Sequence, residues 1–328
     1  MKKYQTLLYY CYSHIDNAEQ FAADHLQFCK SLGLVGRIIV ADEGLNGTVS
    51  GTPDACKAYM DAVHADQRFA GTDFKIDEVD EPSFIKMHCR YKPEIVHSGL
   101  RDPKIIDPTK ETGKHLDPKE FLEMKDRDDV VILDVRSNYE HNVGRFKNAL
   151  TLDIENFREF PEKINELAQY KDKKILTYCT GGIKCEKASA LLLKEGFKNV
   201  YQLHGGIIKY GKVVGGKDFE GKCYVFDNRV TVDVNQVNPT VVSTCLNCGT
   251  ISSRMINCAN PECNEHFTQC ETCGWKMEGC CSDSCMSHPR RRPYDGTGYY
   301  VKIPQPVNVE KISKRKHKIF TANSTLNS

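Results

Sequence analysis

The residues best suited to chemistry form a short loop around a cysteine. An apolar stretch predicts a strand over Lys174–Tyr178, and a helical pattern follows from about residue 185 to 194. The loop and the first helical residue comprise Cys179, Thr180, Gly181, Gly182, Ile183, Lys184 and Cys185. The two glycines let the backbone curl around the first thiol, while the helix N-terminus and the lysine favour an anion there. The pattern predicts a reactive thiolate or persulfide at Cys179; the simpler alternative is a buried cysteine at a strand–helix turn.

A second concentration of sulfur lies further along the chain, where nine of the sixteen cysteines fall between residues 245 and 285. Two C-x-x-C pairs with further cysteines between and after them have the spacing of zinc ligands. The expected sets are Cys245, Cys248, Cys270 and Cys273, and Cys258, Cys263, Cys281 (or Cys280) and Cys285. His266 or His288 could replace a ligand, and an iron–sulfur cluster or free cysteines are the alternatives. All-cysteine zinc sites are closed, so we expect one or two structural zinc ions and no catalysis here.

Positive charge is concentrated near the carboxyl end. The formal net charge is only +1, whereas residues 286–328 hold nine Lys/Arg against two Asp/Glu. Such a segment suits a polyanion, and a solvated tail without a partner is the alternative. A predicted strand near residue 90 carries two further cations, which could instead belong to a solvated face. The candidates for phosphate contacts are Arg90, Lys92, Arg290, Arg291 and Arg292.

Composition limits the class of protein. The chain has 328 residues, which suits two or three domains, and its 40% hydrophobic and 27% charged residues are typical of soluble globular proteins. Its longest apolar runs, such as Val130–Leu133, are far too short to cross a membrane. The first residues lack a long apolar region followed by a cleavage site, so we expect no signal peptide, no membrane partner and a cytoplasmic location.

The cysteine loop is expected to belong to the second of several domains, in a mixed α/β chain. Residues 1–95 alternate strand and helix patterns in the order β-α-β-β-α-β, a ferredoxin-like α+β plan, with a plainer mixed domain as the alternative. In the second helix of this domain, Thr52 is the expected N-cap and Pro53 the first helical residue. Residues 96–118 show turn residues and no period, which indicates a linker.

The next segment, residues 119–230, alternates short apolar runs with helical stretches. This pattern predicts a doubly wound parallel sheet covered on both faces. Function in such folds lies at the carboxyl ends of the strands, where both Asp134 and Cys179 fall. A small cysteine-rich module at 240–290 and a basic tail at 291–328 complete the expected organisation.

Several motifs in the second domain resemble those of rhodanese domains. Leu133–Arg136, followed by Glu140, Gly144-Arg145 and Asn148-Ala149, resembles the entry signature of that fold. The loop of residues 179–184 resembles its six-residue active loop, which begins with a cysteine and ends with a basic residue. Rhodanese domains usually pass sulfur through a persulfide on this cysteine. Phosphatases of related fold carry an arginine six positions after theirs, and Cys185 stands there instead, which argues against phosphate-ester chemistry.

The order of motifs along nearly the whole chain resembles the rhodanese-containing tRNA uridine hydroxylase family. The motifs are DEGLNGTVSG (Asp42–Gly51), CTGGIKCEKAS (Cys179–Ser189), LHGGIIKY (Leu203–Tyr210), YVFDNRV (Tyr224–Val230) and the cysteine-rich module. The resemblance implies oxygen-dependent hydroxylation of the wobble uridine of tRNA at carbon 5, giving 5-hydroxyuridine. It also implies that Cys179 is essential and that the partner is the tRNA anticodon loop.

The residues leave the oxygen chemistry open. No G-x-G-x-x-G flavin or nicotinamide motif follows a strand, and no two-histidine-one-carboxylate iron site can be assigned. One hypothesis is that Cys179 adds to carbon 6 of uracil and makes carbon 5 electron-rich. Another is that Cys179 and Cys185 form a redox pair that supplies electrons. A flipped wobble base suits either route, because the bases of a single-stranded loop unstack cheaply.

Other residues and other functions stay open at this stage. Asp134 and Arg136 are expected to order the mouth of the loop, or to form an ordinary ion pair at a strand end. Asp227 and Arg229 could contact substrate or close over the loop, or form a structural pair. Two functions compete with hydroxylation: a sulfurtransferase that carries persulfide on Cys179, and a non-catalytic module that binds RNA or protein.

Overall fold

The computed structural model describes residues 2–298, so most of the expected basic tail (residues 299–328) lies outside the described residues. By contact density the chain divides into two units, one of Met1–Met255 with Phe267–Cys270 and one of Ile256–His266 with the chain from Glu271 onward. None of the helices between residues 2 and 298 combines the length and apolar character needed to cross a bilayer.

The amino-terminal domain has the ferredoxin-like plan that its sequence pattern predicts. Its elements are β1 (Tyr4–Tyr12), α1 (Ala18–Ser31), β2 (Val35–Ala41), β3 (Gly44–Gly51), α2 (Pro53–Ala65), β4 (Lys75–Val79) and β5 (Met87–Tyr91). The sheet order is β4-β1-β3-β2-β5, and its pairs are antiparallel except for the parallel β2–β5 pair. The Thr52 side chain accepts the N–H of Ala55 at 3.3 Å and Pro53 is the first residue of α2, which confirms the predicted cap.

Only one face of this sheet is covered by its own helices. Alternate strand residues such as Leu7, Tyr9 and Ile38 join residues of α1 and α2 in a buried cluster. The residues between them point to the opposite side, which we call the open face: Leu8, Tyr10, Arg37, Ile39, Asn46 and Thr48. Because both helices of this domain pack on the same face of the sheet, the open face must be covered by another part of the molecule.

The second domain is built on a fully parallel sheet, as predicted. Its elements are β6 (Lys114–Leu116), α3 (Pro118–Met124), β7 (Val130–Asp134), α4 (Asn138–His141), β8 (Gly144–Phe146), β9 (Leu150–Thr151), α5 (Phe160–Lys163), β10 (Lys174–Tyr178), α6 (Ile183–Lys194), β11 (Asn199–Leu203) and α7 (Gly206–Val214). The strand order is β6-β11-β10-β7-β9, and apolar clusters pack on both faces. β10 therefore lies in the centre and delivers Cys179 to the carboxyl edge.

Residues 96–118, for which the sequence predicts a linker, contain regular structure. A 3₁₀ turn spans Pro103–Ile105, and β6 joins the parallel sheet through β11. The difference arises because a three-residue edge strand is too short to show a period. Its position is fixed by tertiary contacts, among them the hydrogen bond from the Gly113 N–H to the Ser189 hydroxyl at 2.8 Å.

The rest of the described chain consists of short elements. They are β12 (Phe219–Gly221), β13 (Cys223–Tyr224), β14 (Thr231–Val232), β15 (Met255–Asn257), β16 (His266–Thr268), α8 (Glu271–Lys276) and α9 (Asp283–Met286). β12 pairs with β8, β13 with β14, and β15 with β16. This region has many cysteines and little regular structure. It is therefore too small to be stabilised by an apolar core alone and needs cross-links through its cysteines.

Candidate functional site

The loop after β10 wraps its backbone around the Cys179 sulfur. Cys179 is only 1% exposed, and the Gly182 N–H donates to its Sγ at 3.1 Å. Gly182 has φ +105°, a conformation that glycine adopts without strain, and it immediately precedes the first residue of α6. The loop thus directs backbone hydrogens toward the sulfur at the N-terminus of a helix.

These surroundings favour the thiolate of Cys179. Burial alone would raise its pKa, but the Cys185 thiol, the Lys184 charge and the N–H groups of Cys185 and Gly182 outweigh burial and lower the pKa to about 7. Burial and the neighbouring Cys179 raise the pKa of Cys185 well above its ordinary value. Near neutral pH a substantial fraction of Cys179 is therefore thiolate, whereas Cys185 remains a thiol that donates to it.

Lys184 is held between the loop and α4. Its ammonium forms an ion pair with the fully buried Glu140, whose Oε2 also accepts the Ser137 N–H at 3.1 Å. The same ammonium lies 5.4 Å from the centre of the Phe226 ring. These contacts keep a positive charge beside the Cys179 sulfur while leaving only a small part of the lysine exposed.

Asp134 and Arg136 lie beneath the loop. Both are fully buried and form a two-point ion pair with N–O distances of 2.9 and 2.7 Å. The Tyr178 hydroxyl donates to Asp134 at 2.5 Å, and Arg136 donates to the Gly144 carbonyl at 2.7 Å. The pair joins the ends of β7 and β10 just before Cys179, which is the geometry of a support for the loop and not of a group that meets substrate.

Asp227 and Arg229 form a similar pair on the other side of the loop. Arg229 donates to both carboxylate oxygens of Asp227, at 2.8 and 2.7 Å, and to Asp77 of β4 at 2.9 Å. Their contacts tie the segment after β13 to the amino-terminal sheet. Phe226, directly before this pair, reaches the space in front of Cys179.

A cavity of about 540 Å³ opens in front of Cys179. One wall is the cysteine loop, the second is the open face of the amino-terminal sheet, and the third is the segment of residues 92–97. Sequence reasoning missed most of the cavity-lining side chains, which include Tyr10, Arg37, Asn46, Phe84 and Phe226. The only sequence signal for these residues is the alternation of side chains along β1 and β3. Such alternation indicates that the sheet has a second face, but it does not indicate what covers that face.

An ion-pair cluster and a hydrogen bond attach α6 to the amino-terminal domain. The ammonium of Lys187, 2% exposed, lies 2.8 Å from Glu43 and 2.7 Å from Glu94. Glu186 accepts the Tyr10 hydroxyl at 2.8 Å. Because α6 begins at the cysteine loop, these contacts fix the loop and the open face relative to each other.

Two cations, Arg37 and Lys92, line the cavity, and further basic side chains lie close to them along β5. Lys92 lines the cavity, and Arg90 lies on the exposed side of β5, next to His88 and opposite β2. The pKa of His88 is lowered by partial burial and by the charges of Arg90, Arg37 and Lys86. We call this group the basic rim: Arg37, Lys86, His88, Arg90 and Lys92. It brings together the two amino-terminal cations that the sequence singled out.

The cysteines come together in the two sets that their spacing predicts. In each set the four Sγ atoms lie within 4.8 Å of one another: Cys245, Cys248, Cys270 and Cys273 in the first, and Cys258, Cys263, Cys281 and Cys285 in the second. Cys281, and not Cys280, belongs to the second set. Each set could hold a metal ion.

The sulfur spacing fits zinc. Tetrahedral coordination with Zn–S bonds of about 2.3 Å requires sulfurs about 3.8 Å apart. The Cys248–Cys270 and Cys263–Cys281 distances are 3.7 Å, and the Cys281–Cys285 distance is 3.6 Å. Four thiolates leave no open coordination position, so such a site stabilises structure and does no chemistry.

The three arginines after the cysteine module, which the sequence proposes for phosphate contacts, each have a partner within the module. Arg292 donates to the carbonyls of Cys258 and Ala259, and so supports a cysteine-bearing loop. Arg290 pairs with Glu262 and Arg291 with Glu278. The three guanidinium groups are therefore paired with nearby carboxylates and carbonyls. Counting charges along the sequence does not reveal such tertiary contacts.

Three family models match successive parts of the chain: the UPF0176 acylphosphatase like domain at residues 4–95, the rhodanese-like domain at 117–212 and the rhodanase C-terminal model at 220–286. A solution structure of the rhodanese-like domain of an Anabaena protein is 29% identical, with a TM-score of 0.28, over 34% of this chain and 80% of that one.

Two relatives match almost the full length. The tRNA uridine(34) hydroxylase of Cytophaga hutchinsonii is 65% identical over 302 residues, covering 92% of this chain and 96% of the relative. The enzyme of the same name from Streptococcus pyogenes is 48% identical, over 89% of this chain and 90% of its own. At this identity and coverage, the chain belongs to the tRNA uridine(34) hydroxylase family.

Proposed function

We propose that this protein hydroxylates the wobble uridine of tRNA, at position 34, on carbon 5 with molecular oxygen, giving 5-hydroxyuridine. The observation that carries the proposal is the Cys179 thiolate, which faces a cavity closed by the amino-terminal sheet. Family membership supplies the substrate class, and Cys179 is the essential residue. A tRNA substrate also places the work of the enzyme in the cytoplasm.

The dimensions and charge of the site suit one flipped nucleotide of an anticodon loop. A volume of about 540 Å³ is that of a small-ligand pocket, and the aromatic rings of Tyr10, Phe84 and Phe226 line it. The basic rim lies at the opening, where the phosphates on either side of a flipped base would pass. Bases of a single-stranded loop unstack at low cost, which favours recognition by this route.

We assign Cys179 the role of nucleophile. Its thiolate forms an S–C6 bond with the uracil ring, and the C5–C6 π electrons move toward the C4 carbonyl. Carbon 5 of this adduct bonds to one oxygen atom of O2, and the other oxygen atom leaves as water with two electrons supplied by a thiol reductant from outside the protein. Loss of the C5 proton then breaks the S–C6 bond, which restores the C5–C6 double bond and releases the Cys179 thiolate. Cys185 donates a hydrogen bond that holds the thiolate in its reactive form. The competing hypothesis is that Cys179 and Cys185 form a redox pair that supplies electrons. Substitution of Cys185 by serine distinguishes the two hypotheses, because serine keeps a hydrogen-bond donor but cannot form a disulfide.

Both cysteine sets are proposed to hold structural zinc. In each set four thiolates at tetrahedral spacing would bind the ion, which would replace a hydrophobic core in a region of short elements. No step of the uridine chemistry involves these sites.

The test is nucleoside mass spectrometry of tRNA from cells that lack the gene, complemented with variants of the full chain. Wild type and the control Cys11→Ser should restore 5-hydroxyuridine and its derivatives, whereas Cys179→Ala should not. Cys11 is a matched control because burial raises the pKa of its thiol and it lies outside the cavity. Growth under ¹⁸O₂ should place the heavy isotope in the product.

Two results would contradict the proposal. If 5-hydroxyuridine is unchanged in the deletion strain while a thiolated nucleoside disappears, the loop is a sulfur carrier. This sulfurtransferase function is the second candidate, because the six-residue loop that ends in Lys184 suits a persulfide equally well. If the hydroxyl oxygen comes from water, the enzyme is not oxygen-dependent.

A further inference from the structure

We infer that Asn46 selects uracil by accepting a hydrogen bond from its N3–H group. This inference rests on the proposed function, because it concerns how the same cavity recognises its base. Asn46 lies in β3, within the motif DEGLNGTVSG, and its side chain lines the cavity together with Cys179. It is partly buried, so a hydrogen bond made there is shielded from water.

The strand register places Asn46 beside Tyr10, and both line the same cavity as the cysteine loop. Asn46 is paired directly with Tyr10, so both side chains lie on the open face. The Tyr10 hydroxyl reaches the loop, since a Cβ placed on Gly182 would lie 2.9 Å from it. One tyrosine side chain therefore extends from the strand position next to Asn46 as far as the loop. A pyrimidine ring is of similar size and fits in the same gap.

The contacts of Asn46 determine which end of its amide serves as acceptor. Its Nδ2 donates to the Ile95 carbonyl at 3.1 Å, and a carbonyl oxygen can face only a donor. Ile95 is itself fixed, because its N–H donates to Glu43 at 2.7 Å and Glu43 pairs with Lys187. The Oδ1 is thus the opposite end of a rigidly held amide, on a side chain that lines the cavity.

A fixed acceptor distinguishes uracil from cytosine at one atom. Uracil carries a hydrogen on N3 and donates, whereas the N3 of neutral cytosine is an acceptor, so two lone pairs would meet. A site built around a hydrogen bond rejects a ligand that lacks the partner, because its buried polar group is then left unpaired. The aromatic lining of Tyr10, Phe84 and Phe226 provides stacking, which is sequence-tolerant, so a polar group must select the base. Asn46 suits this role because its hydrogen bond to the Ile95 carbonyl fixes the orientation of its amide.

The experiment measures binding of the full-length protein, under nitrogen, to anticodon stem-loop RNAs that differ only at position 34. The three RNAs carry uridine, N3-methyluridine or cytidine. Wild type should bind the uridine RNA about 10- to 100-fold more tightly than the other two. Asn46→Ala and the near-isosteric Asn46→Leu should bind all three within about threefold. Asn238→Ala, an exposed asparagine outside the cavity, should behave as wild type.

Either of two outcomes would overturn the inference: wild type that binds uridine and N3-methyluridine equally, or Asn46 variants that keep the wild-type discrimination. The first uses no variant, so it decides the matter even if a substitution prevents folding. The same preparations are assayed in air for 5-hydroxyuridine. Discrimination without any hydroxylation by wild type would refute the proposed function while leaving Asn46 as a uracil reader, whereas hydroxylation without discrimination would refute only the role of Asn46.

Discussion

The Cys179 loop and the second cysteine set use the same side chain for opposite purposes. In the loop, one sulfur receives hydrogens from the Gly182 backbone and the Cys185 thiol and faces an open cavity. In the second set, four sulfurs face one another, with separations of 3.6 Å for Cys281–Cys285 and 3.7 Å for Cys263–Cys281. Hydrogen-bond donors around a single sulfur make a nucleophile, whereas other sulfurs around it make a metal site.

This difference teaches that cysteine function is decided by neighbours and not by burial. Cys179 and Cys285 are both largely buried, with 1% and 8% of their surface exposed. Each site should therefore respond to its own perturbation: the metal set to loss of a ligand or to chelation, and the loop to loss of its donors or of its supporting ion pair.

The largest effect is expected from Cys285→Ser. Loss of one of four thiolates should release one of the two proposed zinc ions, because the binding free energy of a structural zinc is on the order of 10 kcal/mol. Elemental analysis of the purified protein measures the zinc, and hydrogen exchange over residues 256–298 should become rapid. Cys280→Ser, which replaces the adjacent cysteine outside the set, should retain both ions. If Cys285→Ser retains both ions, the second cysteine set is not the metal site that we contrast with the Cys179 loop.

The next effect concerns the support of the loop. Asp134→Asn should destabilise the parallel-sheet domain by about 3–5 kcal/mol, because it leaves the fully buried Arg136 without a counter-charge. Urea denaturation measures the change. The exposed pair of Asp172 and Lys198 offers a control, since Asp172→Asn should leave the unfolding midpoint unchanged. Zinc content should stay at the wild-type value, and its loss would show that the two regions are not independent.

Cys185 separates the two hypotheses for the loop. If it serves as a hydrogen-bond donor, Cys185→Ala should lower the rate of uridine hydroxylation about tenfold, while Cys185→Ser, which keeps a donor, stays within about threefold of wild type. A redox pair requires sulfur at both positions. Equal and complete inactivation by alanine and serine would therefore refute the donor role and favour the redox pair.

The smallest effect is a shift of a pH profile. The thiolate fraction of Cys179 rises as the pH rises through its pKa of about 7, so its alkylation rate should rise over the same range. Lys184→Met removes a charge that lowers this pKa, and the profile should move to higher pH with a several-fold slower reaction at pH 7. Peptide mass spectrometry of the alkylated protein measures the rate. At a pH well above both pKa values the two proteins should react equally, and an unshifted profile would exclude Lys184 as a cause.

Much of the chemistry was predictable because it is local in sequence. The strand Lys174–Tyr178 is confirmed residue for residue, and α6 begins at Ile183, two positions before the predicted start. The cysteine spacing predicted both sulfur sets, because metal geometry restricts which positions can meet. The β-α-β-β-α-β order was likewise readable from alternation and capping.

What the sequence could not predict depends on contacts between distant segments. Asn46 and Tyr10 meet the loop only because the open face packs against the second domain, and nothing near residue 46 indicates that partner. β6 was missed because three residues carry no period. The role of Arg292 depends on carbonyls more than thirty positions away, which charge counting cannot detect.

The open face has a consequence for biosynthesis. The amino-terminal domain is complete by residue 95, but Phe226, part of the opposite wall, is synthesised much later. At ribosomal rates the half-covered sheet stays exposed to solvent for on the order of ten seconds before its cover has been made. The polar residues Arg37, Asn46 and Thr48 interrupt that face, as gatekeeper residues do on strands at risk of aggregation. The side chains that line the finished cavity thus also protect the nascent chain.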